Sequence, residues 1–101
     1  MIVNVLMTDI FQKWFDDLKD MQAVGRIRAR IERLRLGNFG DWKRIEGVKN
    51  IFELRIHISK GYRLYYTYRE NTIILLLCGG TKDTQSKDIR EAEQILQNYE
   101  S

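Results

Sequence analysis

The sequence predicts an α+β fold: a small, mainly antiparallel β-sheet flanked by an N-terminal helical pair and a C-terminal helix. Three observations carry this expectation. Residues 9–37 hold two apolar stripes at helical spacing. Residues 52–69 hold two segments in which apolar and polar residues alternate strictly, joined by a short link ending in glycine. Residues 72–99 hold a continuous apolar run, a glycine pair and a third helical stripe. With 101 residues, the chain is long enough for one hydrophobic core and too short for two, so one domain over residues 1–101 is expected.

Taken in order, Met1–Leu6 has the composition of a strand. Thr8 or Asp9 then offers an oxygen to the free amides of a first helix, with Gln12 spaced to bond back to Asp9. Phe11, Trp14, Phe15 and Leu18 recur at i, i+3, i+4 and i+7, which places them on one buried stripe. Val24, Ile27, Ile31 and Leu34 mark the buried stripe of a second helix, which Gly37 is suited to end. The two helices are expected to pair antiparallel over one sheet face.

Asp41–Gly47 follows as a short strand. Phe52, Leu54, Ile56 and Ile58 alternate with Glu53, Arg55, His57 and Ser59, and Tyr62, Leu64, Tyr66 and Tyr68 alternate with Arg63, Tyr65, Thr67 and Arg69. Ser59-Lys60-Gly61 links them as a hairpin whose glycine takes the left-handed position. Parity demands that apolar residues face apolar ones. Ile58 opposite Tyr62 satisfies this, with His57 facing Arg63 and Arg55 facing Tyr65. Thr72–Cys78 reads as a strand covered on both faces. Ile89, Ala92, Ile95, Leu96 and Tyr99 define the last helix, beginning near Thr84.

Charge is distributed unevenly. Residues 22–69 carry twelve Lys or Arg against four acids, a net +8, while the rest of the chain sums to −5, giving +3 in total. Such asymmetry suits a polyanion on one side of the molecule. A single cysteine, Cys78, excludes an internal disulfide and reads as inert core. With one histidine as well, the usual structural zinc sites are excluded, and no metal or cofactor is expected. Met1–Leu6 is too short for a membrane span and lacks the basic start of a signal peptide, so a cytoplasmic protein without membrane contact is expected.

The polar face of the hairpin gathers Arg55, His57, Arg63 and Tyr65. Two arginines beside an imidazole repel it once it is protonated, and a phosphate between them would relieve this. Guanidinium groups bind phosphate oxygens in pairs and would stabilise a pentavalent phosphorus. Cutting RNA without a metal needs that clamp, a base for the 2′-hydroxyl and an acid for the leaving oxygen. His57 suits proton transfer near neutral pH, and Tyr65 suits stacking on a base or donating a proton. Gly79-Gly80-Thr81-Lys82 leaves the inner strand toward a helix, so its amides and Lys82 could meet a phosphate. Further RNA contacts are expected from Arg26, Arg30 and Arg33 on the second helix, Lys43 and Arg44 beside Trp42, Lys60 in the hairpin loop, and Gln85 before the last helix.

Four ordered blocks carry a family resemblance over nearly the whole chain. They are Gly40-Asp41-Trp42-Lys43, Glu53-Leu54-Arg55-Ile56, Gly61-Tyr62-Arg63-Leu64-Tyr65-Tyr66, and Leu76 through Gln85, which closes with Lys87-Asp88-Ile89. Together they resemble the addiction-module killer proteins, the HigB-type toxins of the RelE/ParE superfamily, whose genes sit in prophage or plasmid modules. The resemblance implies a RelE-like fold and a ribosome-dependent endoribonuclease that cuts messenger RNA in the 30S A site. It also implies an antitoxin with a helix-turn-helix DNA-binding domain, through which alone operator DNA is reached. Arg55 then matches a basic residue of the central strand, Arg63 the arginine of the Gly-Tyr-Arg motif, and Lys82 the basic position before the last helix. Relatives carry tyrosine or histidine near the start of that helix, where this chain reads Gln85-Ser86-Lys87-Asp88, which moves the proton-transfer expectation to His57. Two other functions suit the same fold: inhibition of DNA gyrase in the manner of ParE, and a non-catalytic nucleic-acid-binding module.

Overall fold

In a computed structural model that describes residues 2–100, the elements run β1 (Asn4–Met7), α1 (Asp9–Asp16), α2 (Met21–Arg35), β2 (Trp42–Arg44), β3 (Phe52–Ile56), β4 (Tyr62–Arg69) and β5 (Ile73–Thr81). A 3₁₀ turn (Lys82–Thr84) and α3 (Gln85–Glu100) complete the chain. The five strands form one sheet in the order β1-β5-β4-β3-β2, antiparallel except for β1, which runs parallel to β5. The α+β architecture expected from periodicity is the one observed. The expected first strand begins at Met1, which lies outside the described residues, and the observed strand runs to Met7. The second strand is shorter than the expected Asp41–Gly47, and the inner strand is longer than Thr72–Cys78.

The helical pair covers one sheet face. Phe11 and Phe15 of α1 and Ala23, Ile27, Ile31 and Leu34 of α2 pack on Leu54, Ile56, Tyr62, Leu64 and Tyr66 of the hairpin and on Ile74 and Leu76 of β5. α3 covers part of the other face, where Ala92 and Ile95 meet Tyr65, Leu75, Leu77 and Cys78. Both cores touch β5, so Ile74–Gly80 is buried throughout, as its unbroken apolar run requires. α3 lies mainly on β5 and β4, and its first residue reaches Glu53 of β3, while Arg55 farther along β3 stays partly exposed. That step beside α3 is where the site lies. No helix among the described residues is long and apolar enough to cross a membrane.

Local chemistry fixes the element ends. Thr8 caps α1 by accepting from the Phe11 amide at 3.0 Å, while Gln12 reaches forward to Asp16 rather than back to Asp9. The same Thr8 hydroxyl donates to the Leu77 carbonyl at 2.7 Å. Leu77 needs this partner because β5 carries a bulge there: Tyr65 pairs with Cys78 and Tyr66 with Leu76, so Leu77 has no opposite residue on β4. Asp20 caps α2 by accepting from the amides of Gln22 and Ala23, both at 3.1 Å.

Two details correct the sequence reading. The hairpin register is Ile56 opposite Tyr62, Arg55 opposite Arg63 and Glu53 opposite Tyr65, two residues from the expected pairing, so the loop spans residues 57–61. Parity is preserved because a shift of two keeps every side chain on its own face. Gly61 does take the left-handed conformation, at φ 76°, and Ser59 joins it at φ 51°. Gly79 and Gly80, expected in a loop, lie within β5. Their lack of a side chain makes room for neighbours: a Cβ on Gly79 would collide with the Trp14 ring, and one on Gly80 with the Asp88 carboxylate.

Arg30, expected to touch RNA, is a structural clamp. Its guanidinium donates to the carbonyls of Arg55 at 2.7 Å, Phe39 at 3.0 Å and Asp41 at 3.2 Å, tying α2 to β3 and to the segment entering β2. Charge-assisted bonds of this kind contribute about 1.5–3 kcal/mol each and are not additive. Arg30→Ala is therefore expected to lower unfolding stability by about 2–3 kcal/mol, with a matching drop in the thermal midpoint; an unchanged midpoint would refute the clamp.

Candidate active site

The open step beside α3 is built on the Arg55–Arg63 pair. Like charges at directly opposed positions on neighbouring strands repel, and here each arginine has a carboxylate beside it. Asp41 Oδ1 accepts from Arg55 Nη2 at 3.0 Å. Glu53 Oε2 stands 4.0 Å from Arg63 Nε. Arg63 and the backbone turn that follows β3 border a cleft of about 230 Å³, lined by His57, Ile58, Ser59, Lys60, Gly61, Arg63 and Lys82. No carboxylate lies on that wall. The Lys82 amide donates to the Gly61 carbonyl at 2.9 Å, which pins the hairpin loop to the turn before α3 and sets the lysine at the rim.

His57 follows β3 directly and is 71% exposed in its side chain. Its Nε2 meets Asp41 Oδ2 at 2.5 Å, so one carboxylate joins His57 to Arg55. Such a carboxylate fixes the orientation of the imidazole ring. The hydrogen bond from His57, reinforced by Arg55, holds the Asp41 carboxyl below the usual range. A depressed carboxylate stabilises the fold above its unfolded pKa, near 3.8, and loses that contribution as pH falls through its folded value. The thermal midpoints of wild type and Asp41→Asn should thus differ most near neutral pH and converge as the medium is acidified below about pH 4. A gap that is constant with pH would refute the pairing.

His57 also borders a second cleft, of about 260 Å³, lined by Arg26, Ala29, Arg30, Arg33, Ile56 and itself. Both clefts are bordered by His57, with Lys60, Arg63 and Lys82 lining one and Arg26 and Arg33 lining the other. Lys43 and Arg44 are exposed on the edge strand β2, away from either cleft wall, with the Arg44 guanidinium 6.0 Å from the centre of the Phe52 ring. Trp42 packs on the same ring, at 6.1 Å between centroids.

The structure therefore brings together His57, Lys60, Arg63 and Lys82, with Arg55 joined through Asp41. It does not bring Tyr65 to the surface. Tyr65 is 0% exposed and packs under α3, because the face expected to be solvated is a second core wherever α3 covers it. Burial, with Glu53 and Asp88 nearby, drives its hydroxyl well above the ordinary tyrosine range, and a ring with no exposed surface cannot stack on a base. Gln85 is turned inward, its amide donating to Glu53 Oε2 at 3.2 Å. The Gly79-Gly80-Thr81 amides are not a phosphate loop either, since these residues pair with β4. Burial pushes the Cys78 thiol far up, as expected of inert core.

Asp41 and Glu53 were missed as site residues. Each is a lone acid within the strongly basic stretch, and each occupies the same face as Arg55 and Arg63. That mismatch of charge is the signal the sequence carries for them.

Comparison with known proteins follows the same outline. The family model for Phage derived protein Gp49-like (DUF891) matches residues 6–100. A protein of Haemophilus influenzae described as uncharacterized is 43% identical over 97 residues, covering 96% of each chain. Among solved structures, a mutant of the E. coli toxin RelE in the free state superposes with a TM-score of 0.71 at 16% identity, over 93% of this chain and 97% of that one. The intact E. coli RelBE toxin-antitoxin complex gives a TM-score of 0.54, also at 16% identity, over 78% of this chain and 95% of that one. The likeness to these structures is one of fold.

Proposed function

The chain belongs to the Phage derived protein Gp49-like family, and from that membership, the RelE fold and the cationic cleft we propose that it is the toxin of a toxin-antitoxin pair. In this reading it is a HigB-type endoribonuclease that cuts messenger RNA in the ribosomal A site without a metal ion. The observation that carries the reading is the cleft itself: His57, Lys60, Arg63 and Lys82 converge on one wall that holds no acid. That arrangement suits a phosphodiester and does not suit a neutral or cationic substrate.

The chemistry follows from the groups present. Arg63 and Lys82 bind the non-bridging oxygens, and their charge counters the extra negative charge of the pentavalent phosphorus. His57, held by Asp41, takes the proton of the 2′-hydroxyl as its oxygen attacks phosphorus. The bond from phosphorus to the 5′-oxygen breaks, and that oxygen takes a proton from the Lys82 ammonium. The products are a 2′,3′-cyclic phosphate and a 5′-hydroxyl. Arg26 and Arg33 carry the backbone of RNA that continues past the cut, and Lys43, Arg44 and Lys60 add charge around the step. The RelBE complex motivates an antitoxin partner; that this antitoxin carries a helix-turn-helix domain, through which operator DNA is reached, is proposed from the resemblance of the sequence blocks alone.

The deciding experiment is cell-free translation of a defined message with purified protein, with 5′ ends mapped by primer extension, with and without ribosomes. Cuts confined to translated message are the expected result. Intact message with continuing translation would refute the ribonuclease and turn attention to DNA gyrase or a silent binding module.

A further inference from the structure

Among the described charged side chains Glu53 is the most deeply buried, at 2% exposure. It sits in the middle of the sheet, between β2 and β4, where the first residue of α3 closes over it. A carboxylate in such a place needs hydrogen bonds and a counter-charge, because burial removes its water. It has one neutral donor, the Gln85 side-chain amide at 3.2 Å, on the same oxygen that faces Arg63 Nε at 4.0 Å. Arg63 Nε is itself buried and makes no hydrogen bond. A buried donor without a partner and a buried carboxylate held only by a neutral amide therefore face each other directly behind the cleft, a little beyond hydrogen-bond reach. Catalytic hydrogen bonds in unliganded enzymes are often long and close when substrate binds.

From this juxtaposition we infer that Glu53 is a positioning residue for Arg63. It holds the Nε edge of the guanidinium from beneath, so the two terminal nitrogens point out of the sheet as a fork for one phosphate. Without it, Arg63 is opposed only by Arg55, whose charge would push it away from the wall. Asp41 cannot serve both arginines, because its two oxygens are already engaged by Arg55 and His57. Gln85 completes the arrangement by fixing the carboxylate from α3, which ties the orientation of the fork to the seating of that helix. The inference rests on the cleft being a phosphodiester site.

Its test is a double-mutant cycle in the intact chain. Glu53→Gln keeps the shape and keeps an oxygen for the Gln85 amide, and removes the charge. It should lower kcat by about 10- to 100-fold while KM changes by less than about 2-fold, because the fork acts on the transition state. In an Arg63→Ala background the same substitution should change nothing. Losses that multiply in both backgrounds, or a Glu53→Gln protein as fast as wild type, would overturn the assignment. A second readout needs no activity. In nitrogen-15-labelled free protein, the Arg63 Nε–H should give a separate, slowly exchanging resonance, absent in Arg63→Ala and averaged with the solvent-exposed arginines in Glu53→Gln. Fast exchange in wild type refutes the inference even if the chain cuts RNA. Failure to cut any message refutes the function instead, and the resonance still decides whether Glu53 holds Arg63.

Discussion

Arg63→Ala should reduce cleavage of translated message by at least about 10²-fold, the size of effect seen when one donor to a developing charge is removed, or about 3 kcal/mol of transition-state stabilisation. Growth inhibition on expression in cells should disappear with it. Arg63 belongs to neither hydrophobic cluster, so circular dichroism should report an unaltered content of sheet and helix, although loss of the counter-charge to buried Glu53 should lower the thermal midpoint. Arg63→Lys separates charge from shape: it keeps the cation and loses the two-pronged fork, and should recover only a small part of the rate. Wild-type activity in a folded Arg63→Ala protein would remove the cleft from consideration as the reacting centre. Arg55 makes a useful contrast, since its guanidinium is already engaged by Asp41 and does not line the cleft. Its replacement should act through the Asp41–His57 contact and cost less.

The second large effect concerns stability. Gly79→Ala would drive a methyl group into the Trp14 ring, which also packs against Phe11 at 5.6 Å and Tyr62 at 6.4 Å between ring centroids. A ring packed against two other aromatic rings does not give way cheaply, and overpacking of this kind costs typically about 1–3 kcal/mol. For a chain of this size that is a fall of roughly 4–20 °C in the thermal midpoint. Thermal unfolding of the purified variant is the measurement. A variant that keeps its midpoint would refute the collision with Trp14.

Periodicity alone placed the three helices, the alternating hairpin and the doubly covered β5, because a buried stripe or face leaves its repeat in the chain. The same logic placed Arg55 and Arg63 on one face although the register shifted by two, since side chains that share a face continue to share it. What periodicity does not carry is the position of a third layer. Tyr65 and Glu53 alternate with apolar residues as a solvated face would, yet α3 lies over them. Whether a polar-looking face meets water or a helix depends on a packing partner more than twenty residues away. Nor can a sequence show that Arg30 reaches three carbonyls, because backbone acceptors are the same at every position.

The sequence by itself determined the fold class, the two-sided burial of the inner strand and the concentration of positive charge on one stretch. These are properties of local spacing and composition, summed along the chain. Tertiary structure alone decided how that charge is used: Arg30 is drawn into the frame, Arg55 is paired with Asp41, and Arg63, Lys82 and His57 are left to meet at one cleft. The physical reason is that a cation's role depends on which acceptor lies within about 3 Å of it, and in this fold those acceptors come from segments remote in sequence.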